Sequence, residues 1–423
     1  MGLGSRVRVV NVKNGRPSWE GGCMPDLGAD WPGLSGAHAG GCQAEEALTL
    51  VVHGTDRLAA VQLAGQALAG GACSARARCL WRAITVFLCA GELVAADAQL
   101  QRLEGACDDR VTDFVAVLRA QHARLIGDLS GALTVLTRLV SAEVCPFTRR
   151  LAMPFLADVL VAAGKVADAE AMFAELDFDE VAGIAGIPRR LLLAVRGSIH
   201  LAMGQPCDAL EDLLACLRLP ATEPSAHFAV MHSRGLAALA ARAAGRVECA
   251  TDLAEQEQEA ALAWGSPAYV GWALYVRAVT ADTEGEIGLL VDAIDLLEVA
   301  QSRVVLTAAA HELGLRLVRA GDGAGARREL ERAGQWAVQI GNEHLATKIH
   351  TAWRDATQSD PSGSLTSQEA KIAELARAGY SNKQIAESLY LTVRTIEFHL
   401  SNVYRKLKIA SRRELMNGTT RQY

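Results

Sequence analysis

The stretch Thr392-Val393-Arg394-Thr395-Ile396-Glu397-Phe398-His399-Leu400-Ser401-Asn402-Val403-Tyr404-Arg405-Lys406-Leu407 carries two stripes at helical spacing. Ile396, Leu400, Val403 and Leu407 recur at intervals of four, three and four and make one apolar face. Arg394, Glu397, Phe398, Ser401 and Arg405 make the opposite face. Thr392 stands where an N-cap hydroxyl is needed. Upstream, Ser381 with Gln384 and Thr366 with Glu369 each spell a capping box, in which a hydroxyl and an amide or carboxylate three residues apart satisfy each other's backbone N–H. Gly379 stands where a helix must end in the left-handed conformation. The reading predicts helices near 367–378, 382–389 and 393–407, and a short one from about 411.

Three short helices with this capping can hold the third by its apolar face and turn the second stripe toward a DNA major groove. Arg394 can reach a guanine edge or a phosphate, Glu397 a cytosine amino group and Phe398 a thymine methyl; Ser401 and Arg405 complete the base-reading candidates. Lys383, Lys406, Lys408 and Arg412 flank them and suit phosphates, which set position rather than sequence. Charge agrees with this placement. Residues 365–423 hold ten Lys+Arg against five Asp+Glu, whereas the chain's net charge is −6, so residues 1–364 carry −11.

The motifs Leu365-Thr366-x-x-Glu369, Gly379-x-Ser381-Asn382-Lys383-x-Ile385-Ala386, Thr395-Ile396-x-x-His399 and Lys406-Leu407 followed by Ser411-Arg412 resemble the C-terminal domain of LuxR-type transcriptional regulators. The resemblance implies that the third helix enters the major groove and that Thr395, His399 and Lys406 contact or brace the phosphate backbone. Response-regulator relatives often carry Lys where Glu397 stands and a second basic residue where Ser401 stands, so base preference does not transfer. The fourth helix, a dimer contact in some relatives, is cut short by Asn417-Gly418.

Working back toward the N-terminus, a second signature repeats from Glu45 to about Thr357. Gly54, Gly91, Gly127, Gly164, Gly204, Gly245, Gly285 and Gly321 are each followed five residues later by Ala59, Ala96, Ala132, Ala169, Ala209, Ala250, Leu290 and Ala326. The glycines lie 36 to 41 residues apart, a period that means helical hairpins stacked into a solenoid. Glycine ends the first helix at a tight turn, and the small residue lets the second helix cross the first closely. The expected fold is therefore all-α: a tetratricopeptide-like helical-hairpin solenoid of about eight hairpins over residues 44–357, then a four-helix helix-turn-helix domain over 365–418 and a tail at 419–423. A polar linker with Pro361 and Gly363 is expected at 358–364. Residues 1–43, with ten glycines among the first 41 residues, are expected to be disordered.

Ala263-Trp264-Gly265-Ser266-Pro267, Leu296-Leu297-Glu298 with Arg303, and Leu313-Gly314 with Arg319-Ala320-Gly321 look like the last repeats of the large ATP-binding LuxR-type regulators. The nucleotide-binding domain that begins those proteins has no counterpart here, and no Gly-x4-Gly-Lys-[Ser/Thr] occurs. No ATP binding is expected.

Half the residues are hydrophobic and only 5% aromatic, which favours small-residue helix packing over a sheet core. The ten cysteines run from Cys23 to Cys249 without zinc spacing and read as reduced, buried thiols. His311-Glu312 opens like a zinc-protease motif, but Leu315 stands where the second histidine belongs. His227 and His232, five apart, do not share a helix face. Gly321-Asp322-Gly323-Ala324-Gly325 is glycine-rich ahead of a helix and reads as a repeat turn rather than an anion cradle. No catalytic residue, cofactor or metal is expected, and no membrane span or secretory signal. A cytoplasmic, nucleoid-associated location follows.

Two functions compete. One is a sequence-specific transcription regulator, an activator, whose solenoid receives a signal. Its partners would be double-stranded promoter DNA, RNA polymerase, a second copy of the chain, and an unknown small ligand or protein on the solenoid. The other is an interaction adaptor whose terminal module is a vestigial tether. The opposite charges of solenoid and module suggest that the first masks the second until a signal arrives.

Overall fold

In the computed structural model the glycine positions close hairpins by one repeated set of hydrogen bonds. At Gly164, where φ is 75°, the glycine N–H donates to Val161 O (3.0 Å) and the Lys165 N–H to Leu160 O (2.8 Å). This double bond satisfies helix-end carbonyls that would otherwise lack partners. The structure describes residues 42–416 except 70–76, 105–108, 142–143, 145, 177–188, 220–226, 282–285, 359–364, 366, 390 and 408. Gly285, Thr366, Lys408, most of the linker, and residues 1–41 and 417–423 lie outside them.

The described residues form 21 helices and no strand. Eight hairpins come first: α1 (Gln43–His53) with α2 (Arg57–Ala69), α3 (Ala77–Ala90) with α4 (Leu93–Glu104), α5 (Asp109–Ile126) with α6 (Leu129–Ser141), and α7 (Pro146–Ala162) with α8 (Val166–Ala174). Then follow α9 (Arg189–Ala202) with α10 (Pro206–Arg218), α11 (His227–Ala243) with α12 (Val247–Trp264), α13 (Pro267–Thr280) with α14 (Glu286–Val299), and α15 (Arg303–Arg319) with α16 (Gly323–Gln339). A single helix, α17 (Glu343–Gln358), covers the last hairpin.

The crossing residues Ala96, Ala132, Ala169, Ala209, Ala250, Leu290 and Ala326 are fully buried. The first hairpin differs. Ala59 is only half-buried and Ala60 takes the crossing position. Its turn is one residue longer: the Ala60 N–H bonds Asp56 O, two residues beyond Gly54, whereas the Ala96 N–H bonds Glu92 O, one beyond Gly91. The additional residue puts Asp56 at φ 40° and shifts the helix register by one.

The array also winds back on itself, which a period alone does not foretell. Trp264 Nε1 donates to Cys89 O (3.3 Å), and Asn342 Nδ2 to Ala162 O (2.8 Å), across 175 and 180 residues. One core cluster accordingly joins Leu48, Ile84 and Leu100 of the first two hairpins to Leu213, Trp264 and Trp272.

Candidate nucleic-acid interface

The C-terminal module is built as its caps require. Helix α18 (Ser367–Arg377) ends at Gly379, φ 90°. Helix α19 (Asn382–Leu389) starts with a reciprocal box: the Ser381 N–H donates to Gln384 Oε1 (2.9 Å), and the Gln384 N–H to Ser381 Oγ (3.3 Å). Helix α20 (Val393–Lys406) is capped by Thr392, whose Oγ1 accepts from the Thr395 N–H (3.1 Å). Helix α21 (Arg412–Met416) is five residues long.

Ile396, Leu400 and Val403 are buried, and Leu407 packs beside them against Ile372, Ala376 and Ile385, giving the module its own core. Lys406 Nζ bonds Glu369 Oε2 at 2.7 Å, with both side chains at least nine-tenths buried. This pair ties the end of α20 to the start of α18. Arg412 bonds Asn382 Oδ1 (2.8 Å) and Tyr380 O, and so fixes α21 to the turn before α19.

The side chains expected to meet DNA divide into two groups. Glu397, Ser401 and Lys383 are exposed, and Ser401 Oγ donates back to Glu397 O (2.8 Å). The other group faces the solenoid. Arg394 pairs with Asp295, and Phe398 packs on the apolar cluster of the last two hairpins. Arg405 Nη2 donates to Asp322 Oδ1 (2.8 Å). Thr395 and His399 are buried, and Lys406 Nζ also reaches Gly321 O (3.2 Å). A further residue not singled out by sequence, Asn402, is 5% exposed and donates from Nδ2 to Asp322 Oδ2 (2.6 Å).

The solenoid meets this flank with two elements. On α14, Gly288 lets the backbone come so close that a Cβ there would lie 2.4 Å from Thr395 Oγ1. At the α15–α16 turn, Asp322 caps α16 through the Gly325 N–H (3.0 Å) while accepting from Asn402 and Arg405. The glycine-rich turn thus presents a carboxylate rather than N–H groups to its neighbour. Asp292, beside Asp295, has its carboxyl raised by burial, with Arg394 opposing the rise. Charge asymmetry was the available sequence signal for such a contact. It could not pair Asp322 with Arg405, which stand 83 residues apart.

Comparison with known proteins agrees with the module's geometry. The family model for bacterial regulatory proteins of the luxR family matches residues 363–417. The C-terminal module is a LuxR-type helix-turn-helix domain. An HTH-type transcriptional regulator of Mycobacterium bovis is 43% identical over 60 residues, 14% of this chain and 7% of that protein. The oxygen regulatory protein NreC of Staphylococcus aureus is 41% identical over 61 residues, 14% of this chain and 28% of that one. The LuxR-type domain is thus what these relatives share with the chain, and they leave the solenoid unmatched. A solved structure of a Rap protein complexed with competence and sporulation factor is similar over 80% of this chain and 98% of that chain, with a TM-score of 0.46 and 11% identity. No helix among the described residues is long and apolar enough to cross a membrane.

Proposed function

We propose that this protein is a DNA-binding transcription regulator, an activator, whose own solenoid holds the DNA-reading helix out of use until a signal releases it. The observation that carries the reading is the position of α20: the flank bearing Thr395, His399 and Asn402 is at most 5% exposed against the solenoid. A helix with its side chains is about 10–12 Å across, and the major groove is about 12 Å wide. A helix packed on its own module along one flank and on the solenoid along another presents too little of its surface to enter that groove. DNA and solenoid therefore compete for one surface, and Arg394 and Arg405 exchange phosphates or base edges for Asp295 and Asp322.

The LuxR-type domain has its own core, so the segment 360–423 can be compared with the full chain in a selection from random-sequence duplexes followed by titration. The segment is expected to bind at least tenfold more tightly than the full chain at low salt, and both to weaken steeply as salt rises. Equal affinities would remove the masking. No binding by either would favour the adaptor reading, in which the module is a further layer of the solenoid. Activation is tested by reporter transcription from the selected sites.

A further inference from the structure

Because the array winds back on itself, the first helices of successive hairpins face one another across its inside. There α3, α5, α7, α9, α11 and α13 line a partly open cavity of about 130 Å³. Leu88, Leu125, Phe155, Val195 and Leu236 are among its apolar lining. The charges in the wall are matched: Arg124 Nη2 donates to Asp158 Oδ1 at 3.0 Å. Tyr269 is already engaged, its hydroxyl donating to Glu257 (3.1 Å). His232 is held neutral, pushed down to about 4 by burial and then by Arg124. Ser198, Ser266 and Ser302 also line it. Gln121, only 3% exposed, lines the cavity, and its Nε2 has no hydrogen-bond partner among the described residues. Burying such an amide unpaired is unfavourable, so the site favours an occupant that hydrogen-bonds with it.

We propose that this cavity binds an uncharged, mostly apolar small molecule of about ten non-hydrogen atoms that carries one neutral amide group to hydrogen-bond with the side-chain amide of Gln121. Size follows from volume: one water needs roughly 10–15 Å³ of such space, so the cavity holds about ten atoms. Neutrality follows from the matched Arg124–Asp158 pair, since a charged ligand would enter an apolar cavity without a counter-charge. As the receiving site for the signal, the cavity rests on the sensing half of the function proposed above. Its test involves no DNA and so fails or succeeds independently of the DNA-binding half.

The probes are acetanilide, phenylacetate and n-butylbenzene, each of about ten non-hydrogen atoms, titrated into the full-length protein and followed by ligand-observed NMR. Acetanilide is expected to bind roughly three- to tenfold more tightly than either of the others, the range of one net hydrogen bond. Gln121→Leu should erase that preference while leaving n-butylbenzene bound. Leu236→Trp, with the helical spectrum checked by circular dichroism, should fill the cavity and abolish binding of all three. A preference for phenylacetate would overturn the proposal. So would an unchanged preference in Gln121→Leu, or the absence of acetanilide binding to the folded protein.

Discussion

The solenoid closes on itself and the LuxR-type module closes on the solenoid, but the two contacts differ in chemistry. The first is dry. Trp264 is 3% exposed where its indole reaches Cys89 O, and the residues around it are alanine, leucine and aromatic side chains. The second is polar and partly wet. Its ion pairs leave Arg394 and Arg405 roughly half exposed, and Phe398 is its main apolar anchor. Apolar burial is lost only on unfolding, whereas exposed ion pairs are each worth about 0–1 kcal/mol and yield to salt or a competing polyanion. The difference separates a contact that makes the fold from one that can open while the fold persists.

The largest effect should come from breaking the dry contact. Trp264→Ala should cost about 3–5 kcal/mol, read as a lower midpoint of chemical denaturation. A loss below 1 kcal/mol would mean that the turn of the superhelix is not closed there.

Next comes the buried carboxyl of the same region. Glu257 is fully buried, accepts from Trp272 Nε1 (2.8 Å) and Tyr269 Oη (3.1 Å), and is pushed up to about 7 by burial against the opposing pull of Arg234. Between pH 4.5 and 7 the folded protein keeps a proton that the unfolded chain has released. This group therefore lowers stability as pH rises through that window, by about 3 kcal/mol in total, and contributes no slope above it. Glu257→Gln should flatten that part of the pH–stability curve. An unchanged slope would place the titration elsewhere.

The polar contact should respond differently. Gly288→Leu places a side chain where Thr395 Oγ1 stands, and is expected to raise affinity for selected DNA about tenfold, or about 1.4 kcal/mol. The melting temperature should hold, because the nearest atoms to a side chain added at Gly288 belong to Thr395 and Thr392 of the module. The smallest effect is expected from Asp322→Asn. Asparagine caps a helix as well as aspartate, so α16 should persist while the charge facing Arg405 is lost. DNA affinity should rise about threefold, the size of one half-exposed ion pair. A fall in affinity in either variant would mean that the docked arrangement assists DNA binding.

Much of the module was legible because its signals are local. Ser381 finds Gln384 and Thr392 finds the Thr395 N–H within one helical turn, so boundaries read from capping fall within a residue of those in the structure. The hairpin period was legible for the same reason, and the one slip, Ala59 for Ala60, arose where the turn gained a residue that composition does not reveal. What stayed hidden depends on distant partners. Lys406 reads as a phosphate ligand by sequence, yet its ammonium is committed to Glu369, 37 residues away. Asn402 lies between the two stripes of α20 and is given its role by Asp322. Gln121 looks like any polar residue of a surface helix until the superhelix closes over it.

Local pattern settles the helices, their turns, the hairpin repeat and the chemical character of a DNA-reading helix, because caps, glycine turns and apolar stripes act over a few residues. Tertiary structure alone decided that the array closes around a cavity, and that the reading helix lies against Gly288 and Asp322 rather than in the open. Those outcomes depend on small rotations between hairpins summed over some 180 residues, and local pattern carries no record of that sum.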